Sequence, residues 1–215
     1  MYVPAHFAAD DADALIARLA RRFAGILVTV DADGAPVASH LPILWDSERR
    51  VATGHIARAN PHWKQGPSKG LIVLSGPEAY VTPAWYPSKA EHGRTAPTWN
   101  YEAVHLTGQV EWFDDPARLE TVVGDLSALH EGGRAKPWTM EDAPRPYIDA
   151  MLRGIVGLRL TAERVEAKRK LSQNKGDADY RGVREGLEGS PDSGAKEIAA
   201  AMRALRAAAT DLDGN

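Results

Sequence analysis

Between residues 12 and 23 the apolar side chains Leu15, Ile16, Leu19 and Phe23 fall three or four positions apart, with Arg18, Arg21 and Arg22 between them. That spacing predicts an amphipathic helix, started by Asp10 or Asp11 as N-cap and ended by Gly25. The period then changes. GILVTV (25–30) is a β-rich run, DADG (31–34) a hairpin turn with Gly34 supplying a positive φ, and APVASHLPILWD (35–46) the returning strand. Alternation puts Val37, Ser39, Leu41, Ile43 and Trp45 on one face of that strand and Ala38, His40, Pro42 and Leu44 on the other. Pro42 has no N–H to give a ladder, so the strand is at an edge or bulged there. VATGHIA (51–57), GLIVLSG (70–76) and EAYVTPAW (78–85) read as three further strands, and residues 85–98 as a long loop. WNYEAVHLTGQVEWF (99–113) is a long strand. Asp114, Asp115 and Pro116 open a helix through about Glu131, with Leu119, Val122, Val123, Leu126 and Leu129 as its stripe. A second helix is expected around Tyr147–Leu152 and a last long strand at 155–169. Two more helices are expected at Tyr180–Leu187 and Ala195–Ala208.

Consecutive strands joined by tight turns predict a mainly β protein with α: an antiparallel barrel of six to seven strands with peripheral helices. Strands do not alternate with long helices, which argues against a Rossmann-type sheet, and neither G-x-G-x-x-G nor a Walker A sequence is present. Residues 1–175 form the barrel in this reading and 176–215 a C-terminal helical extension.

Composition narrows the chemistry. The 215 residues are 44% hydrophobic and 26% charged, ordinary values for a chain with a packed core. The net charge of -3 gives a polyanion such as DNA no bulk attraction. With no cysteine there is no disulfide, thiolate metal site or cysteine nucleophile. The first twenty residues carry acids where a secretory signal has bases, and no stretch approaches the roughly 20 apolar residues of a membrane span. A cytoplasmic protein without membrane contact is expected.

Three segments could carry chemistry. In TGHIARANPHWK (53–64), His55 and Arg58 leave a strand, Asn60 takes an N-cap position and Pro61 the first helical one. A helix start suits an anion, Arg58 can fork onto phosphate oxygens, and Lys64 adds a point charge. An ordinary capped turn with surface bases has the same signature. The second segment is YVTPAWYPSK (80–89) with APTWNYEAVH (96–105), which groups Trp85, Tyr86, Trp99 and Tyr101 with Lys89, His92 and Arg94. It fits a planar anionic ligand, or aromatic anchoring of a loop or subunit. The third is KRKLSQNK (168–175), the densest basic run, readable as a phosphate contact or a solvated strand end. His40, His55 and His62 show no H-E-x-x-H spacing, so no metal site is expected. No G-x-S-x-G and no carboxylate pair suggests a hydrolase.

MYVPAHF at the start, HIARANPHWK, YVTPAWYPSK, PTWNYEAVHLTG and KLSQNK, in this order, resemble the FMN-binding negative transcriptional regulators of the PaiB type over about residues 1–190. The resemblance implies a flavin-binding split barrel related to pyridoxamine-phosphate-oxidase-like proteins, a homodimer, and FMN as cofactor between subunits. Bases near the third strand would hold the FMN phosphate, the role given to Arg58 and Lys64, and His55 and Asn60 beside them would also belong to the cofactor site. Ser39, His40, Leu41 and Pro42 would line the flavin ring. Thr98, Trp99 and Asn100, with Lys170 and Gln173, would close the pocket, from the same subunit or its partner. DNA contact has no support from charge or from a helix-turn-helix motif. A flavin-dependent oxidoreductase on the same barrel is the alternative, since a flavin brings its own redox chemistry. Haem binding through a histidine is a weaker one.

Overall fold

The computed structural model describes residues 1–213, with side chains described through residue 208. Its helices and strands are α1 (Ala12–Arg22), β1 (Gly25–Val30), β2 (Pro36–Leu41), β3 (Ile43–Asp46), β4 (Val51–Ala57), β5 (Ser68–Val81), α2 (Ser88–His92), β6 (Thr98–Phe113), α3 (Pro116–Glu131), α4 (Arg145–Arg153), β7 (Ile155–Lys170), α5 (Asp177–Glu188) and α6 (Ser193–Asp213). The last two residues of the expected extension lie outside the described residues. By its contacts the chain divides into two compact units. One holds residues 11–75 and 104–166; the other holds 1–10, 76–103 and 167–215.

In the first unit the strand order is β2-β1-β5-β6-β7-β4-β3, in antiparallel pairs that include β1 with β2, β1 with β5, β3 with β4 and β4 with β7. β2 and β3 stand at opposite ends of this order, yet only Pro42 separates them in the chain. The sheet must therefore roll until its ends meet, which makes it a split barrel. The expected strand 35–46 is thus two strands. Pro42 marks the corner where the ladder changes partner, so the missing N–H costs no hydrogen bond. The residue before the corner, Leu41, pairs with Gly25, and the residue after it, Ile43, pairs with Gly54. A Cβ on Gly54 would stand 2.4 Å from the Pro42 carbonyl oxygen, and one on Gly25 2.7 Å from the Ile43 side chain. The alternation read from the sequence survives the corner: Ser39, Leu41 and Ile43 all point inward and are buried.

Outside the barrel, α1 buries Leu15, Ile16 and Leu19 completely, and its Asp13 accepts a 2.8 Å hydrogen bond from Trp45 Nε1. The apolar faces of α3 and α4 (Leu119, Val122, Leu126, Ile148, Leu152) pack with Phe113, Leu44 and Ile155.

In the second unit α5 and α6 enclose a core of Tyr180, Val183, Leu187, Ile198, Ala199 and Met202 with Ala79, Val81, Tyr86 and Leu171. Residues after Gly176 thus share one core with residues 79–86. Gly186 of α5 lies under the Trp85 ring. Two local expectations change. β5 runs unbroken through Gly76–Pro77, where two strands were expected, and the expected 85–98 loop holds α2, followed by Gly93 at φ 66°. No helix among the described residues is long and apolar enough to cross a membrane.

The corner makes a ranked prediction. Gly54→Ala meets a backbone oxygen that cannot turn aside and should cost about 3 kcal/mol or more, whereas Gly25→Ala meets a movable side chain and should cost about 1–2 kcal/mol. Urea unfolding of both variants checks the order.

Candidate functional site

The segment after β4 folds as a five-residue 3-10 turn, Pro61–Gln65, with Asn60 as N-cap and Pro61 first, as the sequence predicts. It is not the longer helix whose dipole would favour an anion. Its leading amide is also taken, since Asn60 Oδ1 accepts from His62 N at 3.0 Å. His62 is 1% exposed and ties the turn to the barrel. Its Nε2 lies 2.7 Å from Thr29 Oγ1 on β1, and its Nδ1 2.8 Å from Ser39 Oγ on β2. Thr29 donates its one hydroxyl proton to Gln65 Oε1 at 2.6 Å, so the proton between Thr29 and His62 must sit on Nε2. His62 Nδ1 then accepts from Ser39, whose oxygen in turn accepts from Asn60 Nδ2 at 2.9 Å. The imidazole is neutral and fully used. Burial holds its pKa below the ordinary histidine value.

The other candidates of this unit have separate fates. Arg58 Nε donates to Arg153 O at 2.9 Å and its Nη2 to Ile155 O at 3.1 Å, while Gly154 O accepts from Arg58 N. The guanidinium thus satisfies carbonyls at the end of α4, and its remaining edge lies 3.5 Å from Asp114. Trp63 Nε1 donates to Arg58 O at 2.9 Å, so its ring is fixed at this junction. His55 shares a face of β4 with Thr53, whose partner Leu44 packs with α3 and α4. Its pKa is lowered by burial, and its Nδ1 is buried without a hydrogen-bond partner. Leu41 points into the core at 2% exposure, whereas His40 and Lys64 are exposed and Pro42 is half-buried. A cavity of about 550 Å³ is lined by Arg58, Arg153, Asp114 and Asp149 with Leu119 and Leu152. Its two acids offset its two bases, so it does not select an anion. Among the described residues no cluster of His, Asp and Glu could hold a metal.

The remaining candidates lie in the second unit, where β7 ends in the turn of KLSQNK. Ser172 adopts φ 63°, a left-handed conformation that costs a non-glycine residue about 1 kcal/mol or more. Asn100 holds it there through a reciprocal pair of bonds with Ser172 Oγ, at 3.0 and 3.2 Å. Gln173 closes the turn from within. Its Oε1 accepts from Leu171 N and its Nε2 donates to Arg169 O. Along β7, successive side chains diverge. Lys168 is 7% exposed, donates to Tyr2 O at 3.1 Å and sits 5.2–5.9 Å from the centroids of Tyr2, Phe7 and Tyr101. Arg169 pairs with the buried Glu102 at 3.1 Å. Lys170 donates to Thr98 Oγ1 and Trp99 O. Burial, then the charges of Lys168 and Lys175, push the Lys170 pKa down.

Thr98, Asn100 and Lys170 line a cavity of about 380 Å³ with Phe7, Tyr86, Arg94, Ser172, Asn174 and Lys175. That volume lies in the roughly 300–1,000 Å³ range of small-ligand pockets. Three basic side chains line it, and no acidic one among the described residues. Trp99 stays outside the lining, half exposed, with its ring edge-on to Tyr80 at 5.9 Å. The local sequence does not mark Phe7 as lining the cavity, or Thr29 and Gln65 as partners in the His62 network. Phe7 stood within a motif, but nothing local linked Thr29 to a turn 33 residues away.

Comparison with known proteins bears on these sites. The family model described as "Putative FMN-binding domain" matches residues 1–164. The chain is 31% identical over 206 residues to "Protease synthase and sporulation protein PAI 2" of Bacillus subtilis (strain 168), covering 94% of this chain and 96% of that protein. Among solved structures it is similar in fold to the conserved hypothetical protein Rv2991 of Mycobacterium tuberculosis, with TM-score 0.56 and 17% identity over 81% of this chain and 92% of that one. It is also similar to the flavocytochrome Anf3 of Azotobacter vinelandii, with TM-score 0.55 and 15% identity over 84% and 78% of the two chains.

The buried histidines fix a pH response. His55, His62 and His105 all have pKa values lowered first by burial when folded, so the unfolded chain binds more protons once the pH falls to the ordinary value of 6.5. Stability is then full above about pH 7 and declines as the solution is acidified toward about pH 5. Urea unfolding across this range should show the decline. His55→Gln, which removes one of these three groups without touching the His62 network, should make it shallower.

Proposed function

The chain belongs to this FMN-binding-domain family, and from that premise we propose that it binds FMN and works as a negative transcriptional regulator of the PaiB type, as a homodimer. The observation that carries the reading is the family match over residues 1–164, together with 31% identity along nearly the whole length of a curated relative. In this reading residues 1–175 bind the flavin, and the helices α5 and α6 that follow pack with residues 79–86 in one core. When bound, the flavin supplies electron-transfer chemistry of its own, and the protein binds and shields it.

The surface of the barrel unit supports this. Ile26 and Val28 of β1 stand beside Val73 and Leu71 of β5 in the register, and all four are only partly buried. On the other side of β1, His40 is level with Ile26. A flat, largely apolar isoalloxazine ring suits such a face, with His40 and Pro42 at its border, and a second copy of the chain would cover the rest. In this reading Lys64, exposed in the turn after β4, is a base available to an anionic ligand. Arg58 contributes through the α4 junction, because its fork already donates to two main-chain carbonyls.

The test is a flavin titration followed by fluorescence quenching. The wild-type protein should take up FMN and turn yellow, and Lys64→Ala should weaken binding. Arg58→Ala should act mainly on stability, lowering it by about 1–3 kcal/mol through the stranded carbonyls. A protein that quenches no flavin fluorescence at any concentration would remove the cofactor reading. Light scattering tests the dimer separately: Val28→Glu should convert a dimer to monomers, and a monomeric wild-type protein would rule the assembly out.

A further inference from the structure

We infer that the cavity of the second unit is a binding subsite for a phosphomonoester dianion, held by Lys170, Lys175 and Arg94 with the hydroxyls of Tyr86 and Thr98. Three observations meet there. First, the lining carries basic side chains without an acidic one to neutralise them. The other bases of the same strand are already matched, Arg169 by Glu102 and Lys168 by three aromatic rings and a carbonyl. Crowding of like charge is unfavourable unless a counter-charge arrives.

Second, Tyr86 is 3% exposed, and its hydroxyl is buried without a hydrogen-bond partner. An unmatched buried donor costs roughly as much as a lost hydrogen bond. Its ring is held in place from two sides. Lys175 Nζ lies 4.8 Å from the ring centroid, and Val183 and Leu187 of α5 share its core. The hydroxyl is therefore a donor in a rigid setting, on a residue that lines a cavity edged by cations, and burial, then the Asp179 carboxylate, raise its pKa and keep it protonated. A phosphate oxygen would complete it.

Third, the turn at the end of β7 positions the cations. The left-handed Ser172, held by Asn100, turns the chain so that Lys170 and Lys175 reach the same cavity, and Lys175 N closes the turn on Ser172 O at 3.0 Å. Lys170 uses two donors on Thr98 and Trp99 and keeps a third. A volume of about 380 Å³ exceeds what a bare phosphate fills, and Phe7 and Pro97 give it an apolar wall. The ligand class is therefore an organic phosphate, not inorganic phosphate alone. That group can come from FMN itself or from a separate phosphorylated metabolite.

The proposal stands whether or not the flavin reading does, and its test keeps the two apart. The probes are FMN, riboflavin and inorganic phosphate; the variants are Lys175→Gln and Tyr86→Phe. Tyr86→Phe removes an unmatched hydroxyl, so it should leave the melting temperature of the ligand-free protein unchanged or raised. A binding role nevertheless requires it to lose affinity. If both variants bind FMN about ten-fold or more weakly while riboflavin affinity is unchanged, the dianion is the flavin's own. If FMN affinity is unchanged but the thermal stabilisation by millimolar phosphate, against chloride at equal ionic strength, is lost in both, the subsite takes a phosphate group other than the flavin's. That second arm reads even if the wild-type protein binds no flavin. If neither FMN affinity nor the phosphate-induced shift changes in either variant, the subsite does not exist.

Discussion

The single residue between β2 and β3 governs the barrel unit. With the two strands at opposite ends of the strand order and Pro42 alone between them, the sheet has no freedom to lie open. Closure brings the first hairpin against β4, and the glycines opposite Leu41 and Ile43 are what let the backbones approach. The inward row Ser39, Leu41, Ile43 passes through the corner without changing face, so register on one side of Pro42 dictates burial on the other. The turn after β4 then carries His62 to Thr29 and Ser39, on the first two strands of the chain. The polar network that looks like a ligand site in one dimension is, in three, a buried fastening of the closed barrel.

How much of this was legible depends on the range over which each feature is decided. β1 at 25–30 and β4 at 51–57 follow from local alternation, and the structure has them at those residues. Prolines are decided at longer range. The local sequence makes Pro42 an edge or bulge position within one strand, and it is the joint between two; it makes Gly76–Pro77 a break, and the pair lies inside β5. In both cases the outcome turns on whether a neighbouring strand needs that N–H, which the local sequence does not record. Arg58 shows the same limit for side chains. Its fork geometry is plain from its chemistry, but Gly154 and the carbonyls it serves lie about a hundred residues on.

The basic run at 168–175 shows why charge counting is a weak guide. A net charge of -3 averages over the chain, and a run of bases at a strand end has an ordinary explanation in solvation. On a strand, neighbours point to opposite faces, so the run was never one patch. Arg169 turns toward Glu102, Lys168 goes into an aromatic cage with the N-terminal segment, and Lys170 and Lys175 are left with the cavity. The sequence shows the bases; pairing decides which of them remain available.

Two buried polar groups, one in each unit, set the difference between structure and function in this chain. His62 is surrounded by groups whose donors and acceptors can be counted off one against another until none is left over, and such a closed network stabilises and specifies the fold. Tyr86 is just as buried, yet its hydroxyl is left over. Folding alone would be better served by phenylalanine at that position, because the ring packs and the oxygen does not pair. A buried donor left over on a rigid ring, lining a cavity whose walls carry bases and no acid among the described residues, is explained most simply if its partner is not part of the chain.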